Sequence, residues 1–184
     1  MNKEQLSEII SQVLADNGGA AAASATSDNL FDKHKMERAI DAGVAKADEL
    51  KVGVTIAIED ITTTVQMSYH MPNGNLVGTY LAPKKAWSAI AMKEPTKDIS
   101  KDIQPGGPLY QMETMLDGKL VSFPGGIPLV LNGEIVGAVG VSGGLIEEDQ
   151  AICEAVVNEF LKESNWVWQI KVLKQQLEKF CKKN

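Results

Sequence analysis

The sequence predicts an α+β fold: an antiparallel sheet of about five strands flanked by helices, with one further helix at each end of the chain. Three observations carry that expectation. Short stretches of alternating apolar residues recur through the middle of the chain. Tight-turn sequences stand between them, Pro72-Asn-Gly-Asn75 and Asn132-Gly133. Longer stretches repeat their apolar residues at three- and four-residue spacing, the mark of a helix with one apolar stripe. Strands joined by tight turns run antiparallel, and one-sided helices must cover them.

Taken in order, Leu6, Ile9, Ile10, Val13 and Leu14 form an apolar stripe on a helix over residues 1–17, capped by Asn2 and ended by Gly18-Gly19. Residues 18–30 are small and polar, with nothing to pack, and read as a flexible linker. An isolated helix this short is marginal in water and orders when its stripe is covered. The domain proper is expected over residues 31–163. Met36, Ile40, Val44 and Ala47 share a face of its first helix, which runs to about Leu50. Val52, Val54, Ile56 and Ile58 alternate as a strand with one buried face, and Thr63–Tyr69 follows as a second. Residues 76–92 read as a helix, with Pro83 at a start or a kink. Residues 96–118 are mixed around Pro105-Gly-Gly-Pro108. Short strands are expected at 120–123, 127–131 and 135–141, the last two joined by the Asn-Gly turn. A helix over 147–162 closes the domain. Residues 164–184 form a C-terminal amphipathic helix, with Val167, Ile170, Leu173, Leu177 and Phe180 on one side. More apolar surface than a free tail should show points to a subunit contact.

Composition removes several classes of function. The hydrophobic share of 44% and charged share of 23% are those of a globular protein with a real core. A net charge of -6 opposes nucleic-acid binding, which needs a basic face. No apolar run reaches the roughly 18–20 residues that span a bilayer, and the N-terminus lacks the continuous apolar stretch of a secretory signal. Cys153 and Cys181 stand alone in helical patterns, without metal-ligand spacing. The expected location is the cytoplasm.

Several segments carry a resemblance: Lys85-Ala-Trp-Ser-Ala89 with Pro95-Thr96, Pro105-Gly-Gly-Pro108, Gly125-Gly-Ile-Pro128, the glycine-rich run Asn132–Gly144, and Asp149. In this order and spacing, residues 54–160 resemble the GlcG/HbpS family, which also forms the C-terminal domain of PduO-type proteins. The resemblance implies an antiparallel sheet flanked by helices, assembly into homo-oligomers, and haem or a related tetrapyrrole as ligand, with no catalytic reaction common to the family. It does not extend to the adenosyltransferase domain of PduO-type proteins, so that activity is not expected. One departure stands out: the first hairpin has Glu59-Asp-Ile-Thr-Thr-Thr64 where the family has an Asp-Gly-Gly type of turn. Residues 1–14 are similar to the encapsulation peptides of bacterial microcompartment cargo. That likeness implies microcompartment shell or cargo proteins as partners through residues 1–17, and a place inside the compartment.

Haem iron takes imidazole as a common axial ligand, and the chain has two histidines, His34 and His70. His34 opens the first domain helix, off its Met36/Ile40 face, and the resemblance implies that the iron-ligating histidine lies toward this edge. His34 is therefore the metal candidate. His70 ends a strand beside Met71, a softer second donor. Lys84 and Lys85, near Tyr80 and Trp87, are candidates to neutralise ligand carboxylates such as haem propionates. Each has a plainer reading as a solvated helix end or strand edge. The glycines from Gly137 to Gly144 fit neither phosphate-binding fingerprint and read as close packing or approach of a flat ligand. Glu147-Glu-Asp149 reads as an acidic first helical turn. No nucleophile–base pair is visible. The expected function is a haem-binding accessory protein in a microcompartment lumen. Its rivals are a corrinoid- or small-molecule-processing enzyme in the same compartment and a ligand-free assembly protein.

Overall fold

A computed structural model describes residues 30–162. The docking helix expected at 1–17, all but the last residue of the linker and the helix expected at 164–184 lie outside the described residues. Asp32 opens the first helix, α1 (Lys33–Leu50), by accepting the His34 and Lys35 amides at 3.0 and 3.2 Å. That is the standard remedy for the unpaired donors of a first turn. Lys51 in the left-handed region ends it. Strand β1 (Thr55–Asp60) and β2 (Val65–His70) form an antiparallel hairpin, with a bulge between Ile58 and Glu59. The turn between them is built by a carboxylate, not by glycine. Asp60 Oδ1 accepts from the Thr62 amide, the Thr62 hydroxyl and the Thr64 amide, and Thr63 sits at φ 63.

Helix α2 (Leu76–Met92) begins at Asn75, whose side chain accepts from the Gly78 amide and donates to Gly143 O. It runs through Pro83 to Lys93. Two short helices follow, α3 (Thr96–Ile103) and α4 (Met112–Met115). Strands β3 (Gly126–Leu131) and β4 (Glu134–Ser142) form the second hairpin. Both turn residues between them, Asn132 and Gly133, have positive φ, as a two-residue hairpin turn demands. Helix α5 is described over 146–162.

The sheet order is β2-β1-β4-β3, antiparallel throughout. It has four strands and not five. The stretch expected as a strand at 120–123 is not one: the Val121 amide donates to Ser88 Oγ of α2, and Ser122 donates to Glu113. Strand β1 also departs from expectation, because both of its faces are buried. It lies second in the sheet, between two helical layers. On one face Ile56 meets α1 and α5: a Cβ added at Gly43 of α1 would touch Val156, Ile56 and Ile152. On the other face α2 lies directly on the sheet. A Cβ at Gly140 of β4 would overlap the Ala82 carbonyl, and one at Gly78 would crowd Thr55 and Ser142. Gly140 of the Gly-rich run therefore serves packing, since only a residue without a side chain lets the α2 backbone approach this closely.

Candidate functional site

His34 sits in the first turn of α1 with 78% of its side chain exposed. Its Nδ1 lies 3.0 Å from Glu37 Oε2, one helical turn on. That hydrogen bond, assisted by Lys33, holds the Glu37 carboxyl below its usual range. A carboxylate on Nδ1 fixes the ring and its tautomer and leaves Nε2 with its lone pair directed elsewhere. Imidazoles that bind metals are commonly prepared in this way. Close by, Phe31 stacks on Phe160 of α5 at 5.6 Å, and Lys35 lies over the same ring at 4.2 Å. The helix start is thereby pinned to the core.

His70 is the second imidazole. It ends β2 half-buried, with Nδ1 2.8 Å from the buried Thr55 hydroxyl. The two histidines stand at opposite ends of the sheet. Phe31, one turn before His34, lies against Gly137, the partner of Asp60, whereas His70 pairs with Thr55. The steps between Thr55 and Asp60 span about 17 Å. Two imidazoles on one iron need nitrogens about 4 Å apart, so His34 and His70 of one chain do not share a metal.

Two expected donors are corrected. Met71 is buried, 5% exposed, with its amide bonded to Val54 O. Its sulfur belongs to the core and offers nothing to a ligand. Lys85 is completely buried. Its ammonium lies 2.7 Å from Asp149 Oδ2 and 2.9 Å from Val141 O, under the Phe123 ring at 4.7 Å. Asp149 Oδ1 in turn accepts from the Gly144 amide. Burial pushes the lysine down and the aspartate up, and their mutual attraction opposes both shifts. The pair is a clasp between α2 and α5, buried out of reach of a ligand carboxylate. Lys84 is half-exposed, but its ammonium already meets Tyr80 OH at 2.6 Å and Gly118 O at 2.7 Å. It lies on α2, across the sheet from α1, and so serves a different surface from His34.

The sequence reading missed one group, Glu59. It is 3% exposed, its Oε2 has no partner, and burial pushes its carboxyl up to about 7, with Asp60 adding to the shift and Lys119 opposing it. Alternation from Thr55 through Ala57 to Glu59 would have found it, had both faces of β1 been expected to pack. Cys153 is buried and donates to Val139 O, and burial pushes its thiol up, away from the reactive thiolate. Among the described residues, no three His, Cys, Asp or Glu side chains are arranged to hold a metal, and no helix is long and apolar enough to cross a membrane. An open depression of about 480 Å³, with Leu109, Tyr110, Met112 and Met115 in its wall, presents no cation or nucleophile.

The arrangement thus offers one prepared, outward imidazole on a pinned helix start. A family model described as haem degrading protein HbpS-like matches residues 31–158. The chain belongs to the HbpS-like family. Its relatives include the corrinoid adenosyltransferase PduO of Citrobacter freundii, 42% identical over 124 residues, which are 67% of this chain and 36% of that protein. The chain thus spans a little over a third of the length of that curated relative. An uncharacterized 15.0 kDa protein from the dhaT-dhaS intergenic region of the same organism is 32% identical over 126 residues, 68% of this chain and 87% of that protein. Among solved structures, a PduOC:heme complex superimposes with a TM-score of 0.67 at 39% identity, covering 70% of this chain and 93% of that one. The described domain, four strands with helices on both faces, thus shares the fold of that structure.

Proposed function

We propose that this HbpS-like chain binds haem or a related tetrapyrrole, whose iron His34 would hold through Nε2. The observation that carries the reading is the His34–Glu37 pair. Glu37 holds the Nδ1 proton, and the first turn of α1 presents the other nitrogen where a wide, flat ligand can reach it. The imidazole fits haem, whose iron takes a histidine ligand in many proteins. Bound haem would supply an iron centre able to change oxidation state or take a further small ligand. The chain's own part is to orient the imidazole and to hold the helix start rigid through Phe31 and Phe160. A solved relative is described as a heme complex, and the family is described as haem degrading, which supports the same ligand class.

The protein acts in this reading as an accessory binding protein of a bacterial microcompartment, with residues 1–17 as its address. Titration with hemin tests the ligation. The unmodified protein and His70→Ala are expected to give the same Soret shift, and His34→Ala to lose it. Glu37→Gln keeps the shift and binds roughly tenfold more weakly, the scale on which outer-shell partners act. A shift that survives His34→Ala overturns the assignment.

A further inference from the structure

Two asparagine–glycine pairs fall within the described residues, Asn73-Gly74 and Asn132-Gly133. Such a pair carries chemistry of its own. The carboxamide carbon of the asparagine lies within reach of the next residue's backbone nitrogen, and attack by that nitrogen closes a five-membered ring. Glycine leaves the nitrogen open, because it has no side chain to shield it. Ring closure then depends on how the fold holds the two residues, and here it holds the pairs in opposite ways.

Asn73-Gly74 is held at each group the reaction uses. The Gly74 amide donates to Met71 O at 2.8 Å, which spends its nitrogen. A Cβ on Gly53 would lie 2.5 Å from Asn73 O and 2.6 Å from Asn73 Oδ1, so the backbone and the carboxamide both rest against Gly53. A Cβ on Gly74 would meet the His70 ring at 2.9 Å. Asn132-Gly133 has none of these holds. It forms the whole turn between β3 and β4, both residues exposed, with φ 55 and 83. Nothing lies within 4 Å of a Cβ on Gly133. Among the described residues, no hydrogen bond takes the Gly133 amide or the Asn132 carboxamide. The ladder ends at Leu131 and Glu134, so the peptide plane between the two turn residues can rotate without breaking a strand contact.

We propose that Asn132 is a site of spontaneous deamidation in the folded chain. Gly133 N attacks Asn132 Cγ and forms the new C–N bond of a succinimide. The Cγ–Nδ2 bond breaks, and Nδ2 leaves as ammonia with the proton that Gly133 N gives up. Solvent water then adds to one of the two ring carbonyls. Opening at Cγ leaves aspartate; opening at the main-chain carbonyl leaves isoaspartate, with the backbone routed through the side chain. Either product adds one negative charge beside the exposed Glu134, in a chain already at -6. Isoaspartate also puts an extra backbone atom into a turn that only two residues span, at the end of the strand on which α2 lies. The turn thus carries a change of charge and shape that accumulates with the age of the molecule. It stands apart from haem binding and fails or holds independently of it.

Incubating the full chain in mildly alkaline buffer and mapping its peptides by mass spectrometry gives the test, with isoaspartate told from aspartate by enzymatic methylation. The Asn132 peptide is expected to convert ahead of the Asn73 peptide by about fivefold or more, the factor that one net hydrogen bond carries. In urea the two should convert at similar rates, since glycine follows both asparagines. Asn17-Gly18 lies outside the described residues and is read from its own peptide. Asn132→Gly keeps a turn residue suited to positive φ and removes the carboxamide, so the acidic species that this turn accounts for on ion exchange is expected to vanish. An Asn132 that keeps its amide in the folded chain as long as Asn73 does overturns the proposal. So does conversion at Asn132 that appears only in urea.

Discussion

Lys85 and Asp149 place two charges where water does not reach, and the consequence is asymmetric. Each alone would carry the full cost of its burial; together they hold α2, α5 and the end of β4 in one cluster. Lys85→Met leaves Asp149 with the Gly144 amide only, and is expected to cost about 3–5 kcal/mol in denaturant unfolding. The double change Lys85→Met with Asp149→Leu should recover most of that loss. If the double variant is as unstable as the single one, the pair is not the unit that matters. Glu59 behaves in the opposite sense, because it lacks a cation at contact distance. The folded chain keeps a proton there up to about pH 7, whereas the unfolded chain releases it around the ordinary value of 4.5. Stability is thus full below about pH 4.5, falls as the pH rises to about 7 and is level above, with a drop of up to roughly 3 kcal/mol. Glu59→Gln should remove that slope. A urea midpoint that falls equally over this pH range in the variant would assign the slope to another group.

At the scale of elements, the contact between α2 and the sheet decides whether the domain forms. Gly140→Ala drives a methyl into the Ala82 carbonyl, a backbone atom with nowhere to go, and is expected to cost about 3 kcal/mol or more. Gly133→Ala meets no neighbour and strains only a turn at φ 83, so about 1 kcal/mol is expected. Comparable losses for the two in thermal unfolding would show that α2 can move off the strand. Elements defined by local spacing were legible in the sequence: the α1 stripe, the helix over 76–92, the Asn132-Gly133 hairpin and the last domain helix. What sheet order decides was hidden. Burial of both faces of β1 follows from its second place in the sheet, and Leu120–Phe123 alternates like a strand but spends its Val121 amide on Ser88. The site divided in the same way. His34 was visible as an imidazole off the apolar face of a helix, and its helper Glu37 lay one turn away. The fate of Lys85 was not visible, because its partner is 64 residues distant. A hint did exist: Lys85 shares the inward face of α2 with Ala82 and Ala89.

For the whole molecule, the question is whether residues 1–28 belong to the domain or only travel with it. The described core is closed by its own elements. Ile56 is covered by α1 and α5, β4 by α2, and α1 is locked at its start by Phe31 on Phe160, all between residues 31 and 162. The stripe of Leu6, Ile9, Ile10, Val13 and Leu14 needs a cover of its own. A small-residue linker is what separates two such demands. Deleting residues 1–28 should therefore leave the unfolding midpoint and the hemin titration unchanged, and the same residues fused to a fluorescent protein should gather it into microcompartment shells. The two measurements constrain each other. If the helix packed on the domain, its removal would uncover several apolar side chains at roughly 1.5–3 kcal/mol each, a loss no unfolding curve would miss. Diffuse fluorescence together with such a loss would make the segment part of the core. Co-localisation with an unchanged midpoint would make it an address that the binding domain carries on a tether.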